Sequence, residues 1–395
     1  MDAADTTVLL DRVRGTADEL RRGAAEIESG RAVPHRGHRL VREAGLLELL
    51  VPREFGGAGL SFLDCTRILE TLATGDGATA LGLAMHYAAI GSLCETGVSE
   101  LPAAADRFRT WLFREVVEHG RMFTSATTET GTGTGLRDIH TTYRNTGAHY
   151  ILKGTTPSVS PADIADHYVI AAREEGAPIA DQVSHFVVSR NDPGVSFTDP
   201  WGTAAPCGTP TATLTLTDVT VPRHRLFLGE EGLTLYGLVR EPHWTASACL
   251  GAYLGIAESI LRLTVDLLRR DEHRCSSSAV RVDVARLAVD LRAARALVHA
   301  AARLVDEEQG SPEALTAVHA AKYCVGELAP RLALGAVRTC GADALRGTGP
   351  HARLLREAAL CPVAPAGAEE CLDHVGRSTL GLTASDARNR GKPRL

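Results

Sequence analysis

No run of basic residues occurs in this sequence, and its 395 residues carry a net charge of −6 with a pI near 6.2. A nucleic-acid partner is therefore not expected. No Cys-x-x-Cys pair is present, and the nine cysteines are spread singly from Cys65 to Cys371. An odd, scattered set argues against a disulfide scaffold or a zinc site, so no metal is expected. No apolar run reads as long enough to span a bilayer, which excludes a membrane partner at this level. The first residues, MDAADTTVLLDRVRG, lack the basic-then-apolar form of a secretion signal, so the expected location is cytoplasmic. What is present is 44% hydrophobic and 23% charged, which suits a globular protein of two or three compact units.

One stretch stands apart. Phe123–Gly135 reads FTSATTETGTGTG, a run of small hydroxyl residues and glycines around one acid, Glu129. Gly131, Gly133 and Gly135 let the backbone approach a bulky flat or phosphorylated ligand. Thr127, Thr128, Thr132 and Thr134 add hydroxyls to the same surface. A Thr/Gly-rich surface loop without a ligand is the plain alternative. No Gly-Lys-Ser/Thr follows, so this is not a nucleoside-triphosphate loop. No helical period follows either, which removes the dinucleotide fingerprint of a parallel α/β unit.

Residues 1–118 read helical. Asp5, Thr6 or Thr7 can cap a first helix through Val8–Ser29. Pro52, Gly56, Gly57 and Gly59 force a corner, and an Ala-rich helical pair follows around Gly75-Asp-Gly77. From 119 to 232, Thr, Val and short alternating runs predict a β domain, with strands at 149–154, 168–172, 185–188 and 213–221. From 233 to 395 the helical pattern returns. Val280, Val284, Leu287, Leu291, Ala294, Val298, Ala301 and Val305 form one apolar stripe on a long helix. A second helix runs from about Pro312 to Thr339 and stops near Gly341, and the two predict a four-helix bundle with an oligomer surface.

Several of these segments resemble the acyl-CoA dehydrogenase superfamily. Thr128-Glu129-Thr130-Gly131-Thr132-Gly133-Thr134-Gly135 is similar to its T-E-x-G-x-G-S-D signature, with Gly135 in place of the acid. The Pro52 corner resembles L-x-x-P-x-x-F-G-G-x-G. Asn191–Val195, Leu216–Pro222 and Leu228–Gly232 resemble the P-G-V, D-V-x-V-P and L-G-x-x-G punctuation of its β domain. The resemblance covers nearly the whole chain. It implies an α+β fold in which a N-terminal helical domain, a central β-barrel-like domain and a C-terminal four-helix bundle hold FAD, and it implies a homotetramer or dimer.

Carried over by position, Ser125, Thr127 and Thr128 lie at the flavin ring edge, and Gly133 and Thr134 approach the ring or the diphosphate. Uncharged hydroxyls and backbone amides suit a ring whose charge changes on reduction. In Gly154-Thr-Thr-Pro-Ser158-Val-Ser160, Ser160 falls where the family places a hydroxyl near N5, and Ser158 replaces its usual tryptophan. Trp201 is a neighbouring aromatic that could compensate. For the arginine that reaches a neighbouring subunit's flavin, Arg270 is the ungapped match and Arg274 the shifted one. The corresponding glutamine is Val337, with Cys340-Gly341 in place of Gly-Gly. Arg353 and Arg356 read as structural ion-pair residues.

The family's catalytic carboxylate precedes G-T; here Ala366 stands there. The alternative position, ten residues before Gly255, is Thr245. Glu369, Glu370 and Glu241 are the stand-in acids, although acids at a helix start are commonly solvated. Cys275 begins a polar turn at a helix mouth, either as a reactive thiol or as a passive one. Without the carboxylate, the resemblance shifts toward antibiotic-tailoring oxidases and monooxygenases that use O2, with electrons drawn from a polar, amine-bearing substrate or from a separate flavin reductase. The alternatives are a thioester dehydrogenase with a relocated base and a non-catalytic binding subunit.

Overall fold

A computed structural model of the chain describes residues 3–28, 35–95, 102–127, 129, 139–176, 183–198, 210–232, 243–345, 349–363 and 366–382. Five helices come first: α1 (Ala3–Glu28), α2 (His35–Glu43), α3 (Phe62–Ala73), α4 (Gly77–Glu95) and α5 (Ala103–Val117). The strands are β1 (Phe123–Ala126), β2 (Thr142–Asn145), β3 (His149–Val159), β4 (His167–Glu174), β5 (Val183–Ser189), β6 (Val195–Thr198) and β7 (Ala212–Pro222). Helices return as α6 (His243–Ser247), α7 (Leu250–Leu268), α8 (Glu272–Ser276), α9 (Ser278–Glu307), α10 (Pro312–Cys340), α11 (Pro350–Leu360) and α12 (Ala368–Thr379). The expected helical–β–helical α+β order is what the chain adopts.

Local chemistry sets the ends of these elements. Ser61 caps α3 by accepting the Asp64 N–H, Asp271 caps α8 through the Arg274 N–H, and Ser311 caps α10 ahead of Pro312. At the corner after α2, Gly56 has φ +90° and its N–H closes on the Arg53 carbonyl, a turn that a side chain would strain.

The strands form one curled sheet in the order β1-β4-β2-β3-β7-β6, with β5 paired to β4. β4 is its hub: β1 and β2 run parallel to it, and β5 runs antiparallel from His167↔Ser189 to Arg173↔Val183. Tyr143, Tyr150, Tyr168 and Phe186 pack with Leu152, Val188 and Leu214 inside this sheet. The N- and C-terminal helices share a separate, continuous apolar core. α7 lies in the middle of it, against α3, α9 and α10.

α4 differs from expectation. Among the described residues it is the one helix long and apolar enough to cross a membrane, contrary to the reading of the sequence, yet most of it is buried inside the protein. Burial on every side also explains its lack of amphipathic period. The stripe on α9 is deep only from Leu291 to Val305. Val280, Val284 and Leu287 are half-buried, and Val280 and Val284 belong to a small cluster with Leu268 and Cys340.

His86 welds α4 to the sheet. Its Nε2–H reaches the Leu47 carbonyl at 3.0 Å, and its Nδ1 accepts the Phe123 N–H at 3.0 Å. Burial drops its pKa from 6.5 to about 4, opposed by these two backbone bonds and by Asp166 and aided by Arg42. Burial alone does the same for His185, also to about 4. Between pH 6.5 and 4 the unfolded chain therefore binds more protons than the folded one. Stability is full above about pH 6.5 and falls as acid is added toward pH 4. The expected loss is about 3 kcal/mol per histidine. Urea titrations across this range check it, and replacing His185 by phenylalanine should flatten the slope by about half.

Candidate flavin site

The end of β1 and the end of β3 meet. The Thr124 hydroxyl donates to the Ser160 carbonyl at 2.6 Å, which ties the two strands, and the hydroxyls of Ser125 and Thr127 lie 3.4 Å apart just beyond. Ser160 Oγ is 2.5 Å from Thr211 Oγ1. Ser158 is exposed two residues earlier on β3. Ser125, Thr127 and Ser160 are all half-buried, so their hydroxyls border the surface between β1 and β3. Thr128, Gly133, Thr134 and Trp201 lie outside the described residues.

Glu129 is the acid inside the Thr/Gly stretch, and its role is structural. Its side chain is buried and takes the N–H groups of His140 and Thr141 at 2.5 and 2.9 Å, with the Thr141 hydroxyl at 2.6 Å. This carboxylate ties Glu129 to the backbone of His140 and Thr141. Among the described residues the rim is made of neutral hydroxyls, and that donor set fits a flavin edge without adding a titratable group.

A second group gathers at one end of the helical bundle. Arg274 Nη1 donates to the Cys340 carbonyl at 2.9 Å, and its Nε pairs with Asp271 at 3.2 Å. Cys275 is exposed, and its thiol donates to the Leu268 carbonyl at 3.2 Å. Val337 is half-buried beside Leu268 and Cys340, and its carbonyl accepts the Gly341 N–H. Gly341 is exposed with φ +71°. Arg274 is thus folded onto the end of α10. Arg270 is exposed, and among the described residues its side chain makes no hydrogen bond. No described hydrogen bond or ring contact joins this group to Ser125, Thr127 or Ser160, so the structure separates the two sets within one chain.

The base position is bare. Ala366 is buried, and its carbonyl faces the Cys371 thiol at 3.6 Å. Glu369 and Glu370 occupy the first turn of α12 and are both exposed. Helix register explains this: with Gly367 as N-cap, the inward face of the first turn falls on Cys371, which is fully buried. The two acids thus lie on the open side of the helix, away from Cys371. Thr245 falls within α6, and Glu241 lies outside the described residues.

Sequence reasoning missed a buried lysine beside Cys361. Lys322 of α10 is 1% exposed. Its Nζ donates to the Cys361 carbonyl at 3.1 Å and sits 4.9 Å from the Tyr253 ring centroid. Burial lowers the pKa of this ammonium, while Cys249, Cys371, Cys361 and Glu370 oppose the shift. Burial pushes the Cys249 thiol up to about 11. This ammonium thus sits against the Cys361 carbonyl, at the end of α11. The available signal was a lysine set among Ala321, Val325 and the other buried positions of α10. A buried His243–Glu95 pair, with Nε2 3.0 Å from both carboxylate oxygens, was also unforeseen.

Arg353 meets its expectation. It is buried, with Asp76 at 3.2 Å and Glu357 at 2.7 Å.

Family models of the acyl-CoA dehydrogenases match in series: the N-terminal domain at residues 4–104, the middle domain at 124–219 and the C-terminal domain at 243–377. The chain is similar to a cyclohex-1-ene-1-carbonyl-CoA dehydrogenase of Syntrophus aciditrophicus (strain SB), 26% identical over 361 residues, which cover 90% of this chain and 85% of that one. Its fold is that of glutaryl-coenzyme A dehydrogenase solved with glutaryl-CoA, at TM-score 0.86 and 22% identity over the full length of both chains. It is equally that of dibenzothiophene monooxygenase (TdsC) from Paenibacillus sp. A11-2, at TM-score 0.82 and 21% identity, covering 94% of this chain and 97% of that one.

Proposed function

Because this chain belongs to the acyl-CoA dehydrogenase family, we propose that it is an FAD-dependent oxidoreductase that passes electrons to O2, as an oxidase or monooxygenase, on a polar, amine-bearing metabolite. The observation that carries this reading is Ala366, buried at the base position, with Glu369 and Glu370 turned to solvent. Oxidising a thioester at its α-carbon requires a carboxylate with a raised pKa to take a weakly acidic proton. The flavin, when bound, would accept hydride and deliver electrons.

Ser125, Thr127 and Ser160 would hold its ring edge from this chain. Arg274 and Gly341 would serve the flavin of a neighbouring copy. Exposed Val282, Val289 and Leu297 on α9 lie seven and eight residues apart, on one helical face, and favour such an assembly.

The test begins with anaerobic reduction. Enzyme carrying FAD is reduced and then mixed either with aerated buffer or with electron-acceptor dyes. Reoxidation by O2 faster than by dye is expected. An enzyme that reacts only with dyes would end this reading. Glu369→Gln and Glu370→Gln are each expected to leave turnover within about twofold of the parent, as for surface groups.

A second reading keeps the dehydrogenase activity that the similar curated proteins are named for. It requires a base supplied from elsewhere in the chain, and loss of turnover in either glutamine variant would favour it.

A further inference from the structure

At the start of β1, opposite the end that leads to Ser125 and Thr127, a cavity of about 190 Å³ opens between α5, β4, β5 and the turn after β7. Its charged lining is Glu115, Arg121, Asp166, His167, Arg190 and Arg225. The two carboxylates are already engaged. Asp166 takes Arg42 at 2.9 Å, Arg121 at 3.1 Å and the Met122 N–H at 2.8 Å. Glu115 takes His167 Nε2 at 3.1 Å.

The cationic side is less satisfied. Arg190 makes one side-chain hydrogen bond among the described residues, to the Asp163 carbonyl at 2.5 Å, and no described carboxylate pairs with it. Arg225 spends Nη1 on both oxygens of Asp192, at 3.0 and 2.8 Å, but its buried Nε–H has no partner among the described residues. His167 is 5% exposed, and its Nδ1 is buried without a partner. Buried polar atoms are rarely left so, and the two here, Arg225 Nε and His167 Nδ1, belong to residues that line one cavity together with Arg190.

The chemistry of the ligand such a cavity would take follows from the Arg190 and Arg225 guanidiniums and the His167 ring. Guanidinium groups call for an oxyanion, which they bind in a fixed fork geometry. His167 points its Nε2–H at Glu115, and burial lowers its pKa, so the ring is neutral and Nδ1 offers a lone pair. The ligand must therefore bring a donor together with its negative charge. A protonated phosphate does this; sulfate does not.

We propose that this cavity is a phosphate site, taking inorganic phosphate or the terminal phosphate of an ester, with Arg190 and Arg225 on its oxygens and His167 Nδ1 accepting its P–OH. The site is independent of the flavin reading, because none of its residues belongs to the Ser125–Ser160 rim or the Arg274 group.

Isothermal titration of the FAD-loaded protein at constant ionic strength tests it, with inorganic phosphate, sulfate and uridine monophosphate as ligands. Saturable, millimolar binding of phosphate is expected, with sulfate weaker by about tenfold, equivalent to about 1.4 kcal/mol. Arg190→Met, half-buried and away from the core, should fold as the parent does and lose about tenfold in phosphate affinity. Arg225→Met serves as the second variant, with a melting curve to show that it is folded. Binding of uridine monophosphate with the affinity of phosphate would assign the site to an ester; phosphate binding alone would assign it to the free ion. Absence of saturable phosphate binding, sulfate binding equal to phosphate, or unchanged affinity in folded Arg190→Met and Arg225→Met would each overturn the proposal.

Discussion

Gly255→Val is expected to leave no folded protein, and Gly255→Ala to lose about 2–3 kcal/mol of stability. The reason is a helix crossing with no room for a side chain. A Cβ at Gly251 would lie 2.0 Å from the Thr66 carbonyl oxygen. One at Gly255 would lie 2.2 Å from the Glu70 carbonyl and 2.6 Å from Ala73 Cβ. Both obstacles on α3 are backbone or rigidly attached atoms, so no rotamer change relieves them. α3 and α7 would have to part along a buried interface that includes Leu69, Leu72 and Leu254, and dense cores resist such strain.

The control is Gly376 on α12, where a new Cβ meets nothing within 4 Å. In an open helical site alanine is the better helix former, so Gly376→Ala should be neutral or stabilise by up to about 1 kcal/mol. Opposite signs for one chemical change, measured by urea unfolding, would isolate the packing at the crossing. Equal effects would refute it.

Arg353→Leu is the second large effect, at about 3–5 kcal/mol. The substitution strands two carboxylates, Asp76 and Glu357, in a region where both are buried. Asp76 also organises the first turn of α4, taking the Thr79 N–H at 2.9 Å and its hydroxyl at 2.5 Å. Loss of the guanidinium therefore loosens α4 at its start as well as α11. A paired change, Arg353→Leu with Glu357→Leu, should recover part of the loss because it removes one stranded charge. If the double variant is no more stable than the single one, the ion pair is not the cause. Denaturant midpoints with and without FAD measure both.

The architecture was readable because helical and strand periods are local properties. α9 and α10 could be drawn from spacing alone, yet the shallow first half of the α9 stripe depends on which helices stand beside it. α4 hid its role for the opposite reason: a helix buried all round carries no period. The missing carboxylate was readable as an identity, since neither Ala366 nor Thr245 carries one. Where Glu369 and Glu370 point was not, because it depends on the register set by Gly367. Arg274 lies on a five-residue helix and Arg270 just before it, a difference that no spacing in the sequence shows. Lys322 against Cys361, and the cavity joining Glu115, Arg190 and Arg225, are assembled across the fold from positions that no spacing relates.

His86 carries one more consequence. Its two ring nitrogens have different partners, one a donor's acceptor and the other an acceptor's donor, so the imidazole is locked in a single tautomer. Nitrogen-15 spectra of histidine-labelled protein would therefore display this ring as a static Nε2–H form while β1 stays docked on α4. Averaging of its two nitrogen signals would announce separation of sheet from helices, so a native residue serves as a spectroscopic gauge with no added label.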